Sequence, residues 1–216
     1  MSDSVSEDLT GSWFDGVRLS VLAPAETWLS PKIEVRASPV HGRGTFAVAE
    51  IAAGETVEVW GQLWQGTLTA EYTADAARAE LAARRGMVVM QWDDGLFSIE
   101  RRGGDPGYFI NHSCDPALWF GDAFTLQARR LILTGDELTL DYALFEADDS
   151  FQATWTCRCG AACCRGSVTG RDWMRTDLHS RYADRFTPLL NKRIAALPAG
   201  ETVHADPPDR RGRGSC

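Results

Sequence analysis

The chain has 216 residues, which suffices for one well-buried core and leaves little for a second domain. Its net charge of -8 disfavours a nucleic-acid partner held by bulk electrostatics. Its first residues are acidic and polar, unlike a secretory or transit signal, and no apolar run approaches the roughly 18 residues that span a bilayer. These properties predict a cytoplasmic protein without a membrane or direct nucleic-acid partner.

Short segments rich in β-branched and aromatic residues predict strands from residue 33 onward, separated by glycine turns. The first three are IEVRAS, TFAVAE and ETVEVWG. The Ala-rich stretch 70–85 then predicts a helix, and a DDG turn between VVMQW and LFSIERR predicts a β-hairpin. Further along, RRLILTGDELTLDYALF is typical of two strands that flank a GD turn.

The C-terminal part of the chain has helical periodicity. Apolar residues recur at steps of three or four over 171–196, and Pro188 predicts a break or a fresh helix start. We expect a polar tail from Pro198 to be disordered. The predicted organisation is an N-terminal cap at 1–31, a main domain at 32–148, a cysteine loop at 149–168, a helical segment at 169–197 and the tail at 198–216.

Four of the six cysteines lie within eight residues. Such crowding disfavours a disulfide ladder and favours a metal site, because zinc prefers four soft ligands in a tetrahedron. Cys157, Cys159 and Cys164 would supply three ligands, and Cys114, about forty residues upstream, is the natural fourth. Cys163 in place of Cys164 is an alternative register.

Three further segments place polar groups or glycines where a ligand can approach. Asn111 and His112 directly follow apolar residues, so they need partners at the end of a buried strand. Gly42 and Gly44 let backbone amides come close to a ligand. Tyr142 ends the segment ELTLDY. Taken singly, each of these features is more often structural than functional.

Together and in this order, the four segments resemble the SET-domain family of protein-lysine methyltransferases. The matching motifs are GRG at 42–44, FINHSC at 109–114, ELTLDY at 137–142 and the C-x-C-G-x3-C-R-G loop at 157–166. The resemblance covers about 33–168. It implies a mainly β SET fold of several small sheets, with a pseudoknot that brings the 109–114 and 137–142 segments side by side. Here the fold would carry a short Ala-rich helical insert and a C-terminal helical extension.

The resemblance also implies an enzyme that moves a methyl group from S-adenosylmethionine to a lysine side chain of a protein substrate. Tyr142 would be the catalytic residue, and one structural zinc ion would be held in a post-SET loop. The implied cofactor-binding residues are Gly42, Arg43, Gly44, Tyr108, Asn111, His112, Tyr142 and Trp155. The implied zinc ligands are Cys114, Cys157, Cys159 and Cys164.

Some positions depart from the family pattern or leave alternatives open. Tyr108 stands where the family usually has arginine, and Ala117 where it usually has asparagine. Leu140 replaces a residue that often limits methylation, so we expect di- or trimethylation to be permitted. The acidic stretch 146–149 is either a site for a basic substrate segment or a solvated loop. Two rival functions are a catalytically silent, zinc-stabilised SET module that binds a protein, and a methyltransferase acting on a peptide or small-molecule amine.

Overall fold

The computed structural model describes residues 27–60, 87–93, 96–101, 103, 106–198 and 200–203. The predicted helix at 70–85, most of the predicted N-terminal cap and most of the tail lie outside the described residues. The strands are β1 (Trp28–Leu29), β2 (Ile33–Ala37), β3 (Arg43–Ala47), β4 (Thr56–Val59), β5 (Met87–Asp93), β6 (Leu96–Arg101), β7 (Asn111–His112), β8 (Leu118–Phe120), β9 (Thr125–Ala128) and β10 (Glu137–Leu140). The helices are α1 (Thr176–Tyr182) and α2 (Pro188–Ala195), with 3-10 turns at Gly107–Phe109, Tyr142–Leu144 and Asp172–Met174.

The strands form three small sheets. One has the order β1-β4-β9-β8, a second has the order β2-β3-β10-β7, and β5 and β6 form a separate hairpin. The mainly β fold of several small sheets is therefore confirmed, as is the hairpin around the DDG turn. In the described part of the chain, no helix has the length and apolar character needed to cross a bilayer.

A parallel pairing between β7 and β10 brings two distant motifs together. Asn111 lies opposite Thr139 and His112 opposite Leu140, whereas β10 pairs with β3 in the antiparallel sense. Leu138 and Leu140 on β10 are buried in the main hydrophobic core. The resemblance implied this contact between the Asn-His and ELTLDY segments, and the strand register explains how it is made.

The segment before the GD turn is not the strand that its sequence predicts. Ile132 forms one isolated bridge with Ile51, and both side chains are buried. Leu131 and Leu133 are 51% and 52% exposed. Because β3 and β7 already occupy both edges of β10, no edge is left for a hairpin partner. The prediction of two strands around this turn was therefore right for the strand after the turn and wrong for the strand before it.

The C-terminal segment is helical, as predicted, but in two short pieces. A 3-10 turn precedes α1, so the regular helix begins at Thr176 rather than near residue 171. Pro188 is at the first turn of α2, where its missing N–H costs nothing. Leu178, Tyr182 and Leu189 are buried and pack into the same core as β10, so the segment is part of the folded body.

Candidate functional site

A cavity of about 380 Å³ opens between the GRG turn, β7 and the cysteine loop. This volume lies within the range of small-molecule sites in proteins. The cavity is lined by Val40, His41, Gly42, Arg43, Tyr108, Phe109, Asn111, His112, Tyr142, Trp155, Thr156, Cys157 and Arg158. The structure thus gathers every predicted cofactor-binding residue except Gly44 around one cavity. Their individual roles stay predictions.

The side chain of Asn111 holds the GRG turn against β10. Its Nδ2 donates to the carbonyl oxygens of His41 at 3.2 Å and Arg43 at 3.0 Å, and to Glu137 Oε1 at 2.7 Å. The amide N–H groups are therefore directed at the protein backbone and a carboxylate. Asn111 therefore fixes the GRG turn, which forms one wall of the cavity.

Glu137 is a site residue that the sequence did not single out. Its carboxylate accepts from Asn111 and also from Ser38 Oγ, at 2.8 and 2.9 Å to its two oxygens. A Cβ on Gly44 would overlap this carboxylate, so glycine is needed there for close approach. Gly44 therefore lies behind the cavity wall. Glu137 is the first residue of ELTLDY, but the sequence does not show that it binds Asn111.

The ring of His112 is buried and faces the cysteines. The backbone N–H of Tyr142 donates to His112 Nδ1 at 3.2 Å. A neutral ring must then carry its proton on Nε2, which lies 3.3 Å from Cys114 Sγ. The ring of His112 is therefore engaged by the backbone of Tyr142 and by Cys114.

Tyr142 offers a neutral hydroxyl beside the cavity. Its Oη donates to the carbonyl oxygen of Ile110 at 3.2 Å. Burial, with smaller contributions from Tyr108 and Glu146, raises the pKa of Tyr142 to about 12. At neutral pH the phenol is therefore protonated, and it can orient a ligand but not act as a base.

Aromatic rings surround Tyr142. Its ring centroid lies 5.3 Å from those of His112 and Phe145 and 6.3 Å from that of Trp155. The contacts with His112 and Trp155 are edge-to-face. Such walls make a slot of low polarity, which disfavours a charged amine relative to a neutral one.

Four cysteines form a group that can hold a metal ion. Every pair of sulfur atoms among them lies within 4.8 Å, and the Cys114–Cys157 separation is 4.0 Å. A tetrahedral zinc ion with bonds of about 2.3 Å places its sulfurs ~3.8 Å apart, so the group has the right size and chemistry. The members are Cys114, Cys157, Cys159 and Cys164.

Backbone amides support the sulfur atoms. The N–H of Arg165 donates to Cys114 Sγ at 3.3 Å, and the N–H of Cys114 donates to Cys159 Sγ at 3.5 Å. A hydrogen bond with Cys157 and burial raise the pKa of Cys114 to about 12. The group contains Cys164 and not Cys163, which favours the first of the two predicted registers.

Leu140 and the acidic stretch lie apart from the cavity lining. Leu140 is buried in the core. Its position does not test the expected degree of methylation, which stays a prediction. Glu146 is half-buried and accepts from the N–H of Asp148 at 3.0 Å. Burial, together with the nearby Asp148 carboxylate, raises the pKa of Glu146 to about 7. Asp149 is exposed.

Comparison with known proteins agrees with this geometry. Residues 42–143 match the family model described as SET domain. The chain contains a SET domain. This domain includes the GRG turn, β7, β10 and Tyr142, whereas Cys157, Cys159 and Cys164 of the four-cysteine group lie beyond the matched residues.

Relatives of this SET domain include two named histone-lysine N-methyltransferases. Trithorax of Drosophila virilis is 34% identical over 137 residues, which is 59% of this chain and 3% of that protein. SUV39H2 of Gallus gallus is 29% identical over 130 residues, which is 44% of this chain and 32% of that protein. The chain therefore spans a third or less of the length of these relatives. The methyltransferase domain of human SETMAR is similar with a TM-score of 0.47 and 16% identity, covering 65% of this chain and 58% of that one.

Proposed function

We propose that the protein transfers the methyl group of S-adenosylmethionine to the side-chain amine of a protein lysine. The observation that carries this proposal is the meeting of the GRG turn, Asn111 and Tyr142 around one cavity of a SET domain. Relatives named as histone-lysine N-methyltransferases support a protein lysine as the acceptor. Because this chain spans only part of those proteins, we do not assign their substrates to it.

The cavity has features that suit the methyl donor. When bound, S-adenosylmethionine supplies a methyl group made electrophilic by a positively charged sulfonium. Arg43 and Arg158 line the cavity and can pair with the donor's carboxylate, and Trp155 offers an aromatic face. The backbone of the GRG turn around Gly42 would lie against the methionine end of the donor.

The acceptor must lose a proton before it attacks. A free lysine has a pKa near 10.4, so only about 0.1% is neutral at pH 7.4. The aromatic slot around Tyr142 lowers that pKa by desolvating the ammonium, and the released proton passes to solvent. The neutral hydroxyl of Tyr142 would then orient the amine nitrogen toward the methyl group, and this alignment is the main contribution of the chain.

The cysteine group would hold one structural zinc ion. Because Cys114 follows β7 and the other three ligands belong to the loop after Trp155, one ion would fix that loop over the cavity. Its role would be to shape the site, as in a post-SET loop. Such an ion would take no part in methyl transfer itself.

We also propose a basic substrate segment and a cytoplasmic location. The chain has a net charge of -8, and the acidic stretch 146–149 directly follows the turn that carries Tyr142. Opposite charge raises the rate of encounter and helps to fix the register of a bound peptide. Asp149, which is exposed, is the member of the stretch best placed for such contacts.

The decisive experiment is a transfer assay with a matched control. Purified protein is incubated with methyl-labelled donor and a lysate, or with lysine-containing basic peptides, beside the Tyr142→Phe variant. We expect label on protein lysines with the natural chain and almost none with the variant. Label confined to small molecules would favour the small-molecule enzyme, and donor binding without any transfer would favour the silent module.

A further inference from the structure

A buried carboxylate lies next to the proposed catalytic residue. Asp141 is fully buried and immediately precedes Tyr142. Its oxygens accept from Arg165 Nη1 at 2.8 Å and Nη2 at 2.6 Å, and from the N–H of Ala143 at 3.0 Å. Although burial opposes it, the Arg165 guanidinium holds the pKa of Asp141 below its usual range, so the carboxylate is charged.

The fourth donor to this carboxylate comes from the C-terminal helical segment. Tyr182, the last residue of α1, is buried and its hydroxyl donates to Asp141 Oδ2 at 3.0 Å. Burial and the nearby carboxylate raise the pKa of Tyr182, so its hydroxyl is a proton donor at every physiological pH. This residue lies beyond the matched SET region, which ends at 143.

The same carboxylate fixes the turn that carries Tyr142. Asp141 caps the 3-10 turn Tyr142–Leu144 by accepting from Ala143 N. An acceptor that binds a guanidinium, a phenol and a backbone N–H at once has its position fixed in three directions. Loss of one donor would let the carboxylate shift, and the capped turn would shift with it.

Other contacts join the C-terminal segment to the same turn. The N–H of Thr187 donates to the carbonyl oxygen of Leu144 at 2.8 Å, and Arg193 Nη1 donates to that of Ala147 at 2.8 Å. Asp172 accepts from Arg165 Nε at 3.1 Å. The segment therefore holds the chain on the C-terminal side of Tyr142 and the arginine that pairs with Asp141.

We propose that Tyr182 is a positioning residue for Tyr142 and acts through Asp141. The inference rests on the proposed function, because its consequence is a correctly placed Tyr142 hydroxyl in methyl transfer. It gives the C-terminal helical segment a role in the reaction in addition to its contribution to the core. Tyr182 itself lines no part of the described cavity.

The test is Tyr182→Phe in the full chain, which removes the hydroxyl and keeps the ring. We expect kcat per donor-binding site to fall roughly tenfold, with the KM for the donor within about twofold of the natural value. The number of competent sites is counted by titration with S-adenosylhomocysteine, which corrects for any unfolded fraction. The control is Leu178→Val, which loses a buried methylene on the same helix and should lower the Tm without lowering kcat per site.

A second measurement does not depend on catalysis. The chain has only four tyrosines, so ring-labelled tyrosine gives a simple NMR spectrum in which Tyr142→Phe assigns one signal. We expect the Tyr142 signal to move in Tyr182→Phe and to stay in place in Leu178→Val. An unmoved Tyr142 signal, or an unchanged kcat per site in an active enzyme, would overturn the inference. A moved signal in a protein that transfers no methyl group would support the positioning and refute the proposed function.

Discussion

The hydroxyl of Tyr142 is the smallest feature on which the proposed function depends. Replacing it with phenylalanine removes one hydrogen bond, to Ile110, and leaves the aromatic contacts with His112 and Trp155 in place. We therefore expect kcat to fall about 100-fold, while the free energy of unfolding changes by only about 1 kcal/mol. Initial rates at saturating donor, with calorimetric binding of S-adenosylhomocysteine, check this. An equal loss of donor affinity would mean that the residue binds the donor instead.

Glu146 predicts a dependence of stability on pH. Its pKa is raised to about 7 by burial, so between its ordinary value and 7 the folded chain holds a proton that the unfolded chain has lost. This contribution makes the protein less stable as the pH rises through that window. We expect Glu146→Gln to raise the free energy of unfolding by on the order of 2 kcal/mol at pH 8 and by almost nothing near pH 4. Urea unfolding at both pH values measures the difference, and a gain independent of pH would contradict it.

At the scale of the elements, two glycines of one turn should respond differently to alanine. A Cβ on Gly44 would overlap the Glu137 carboxylate, which holds Asn111, whereas a Cβ on Gly42 meets nothing within 4 Å. Gly42 has a φ of +51°, so alanine there costs only backbone strain of about 1 kcal/mol. We expect Gly44→Ala to weaken donor binding by more than roughly tenfold and Gly42→Ala by a few-fold, as titration of S-adenosylhomocysteine would show. Equal effects would mean that the contact with Glu137 is not needed.

The elements also show what the sequence could and could not predict. The hairpin, the early strands and the break at Pro188 were predictable because local periodicity and turn chemistry determine them. The prediction of a strand around Ile132 was wrong, because an alternating sequence pattern does not say whether a sheet edge is available for that strand to pair with. The resemblance predicted that the segments of Asn111 and Tyr142 would lie side by side. The spacing of the residues alone could not have predicted this contact.

For the molecule as a whole, the cavity residues were predictable and the contacts that hold them were not. The resemblance named positions expected to bind the donor, and the structure gathers all of these except Gly44 around one cavity. The roles of Glu137 and Tyr182 went unnoticed because each acts through a partner far away in sequence, Asn111 for Glu137 and Asp141 for Tyr182. Glu137 lies in a motif and Tyr182 in an ordinary helical pattern, but neither pattern says which distant residue is its partner.

The four-cysteine group brings the chain after β7 together with the loop after Trp155, so removal of a bound ion should affect the whole fold. Cys114 belongs to the strand region and Cys164 to the loop after Trp155, and a shared ion would join them. We expect the purified chain to carry one zinc ion, and its removal by a chelator to lower the Tm by more than about 10 °C and to abolish donor binding. Cys164→Ser should lose the metal, whereas Cys163→Ser, its neighbour outside the group, should keep it. Metal analysis of the two variants measures this, and retention in Cys164→Ser with loss in Cys163→Ser would assign the fourth ligand to Cys163.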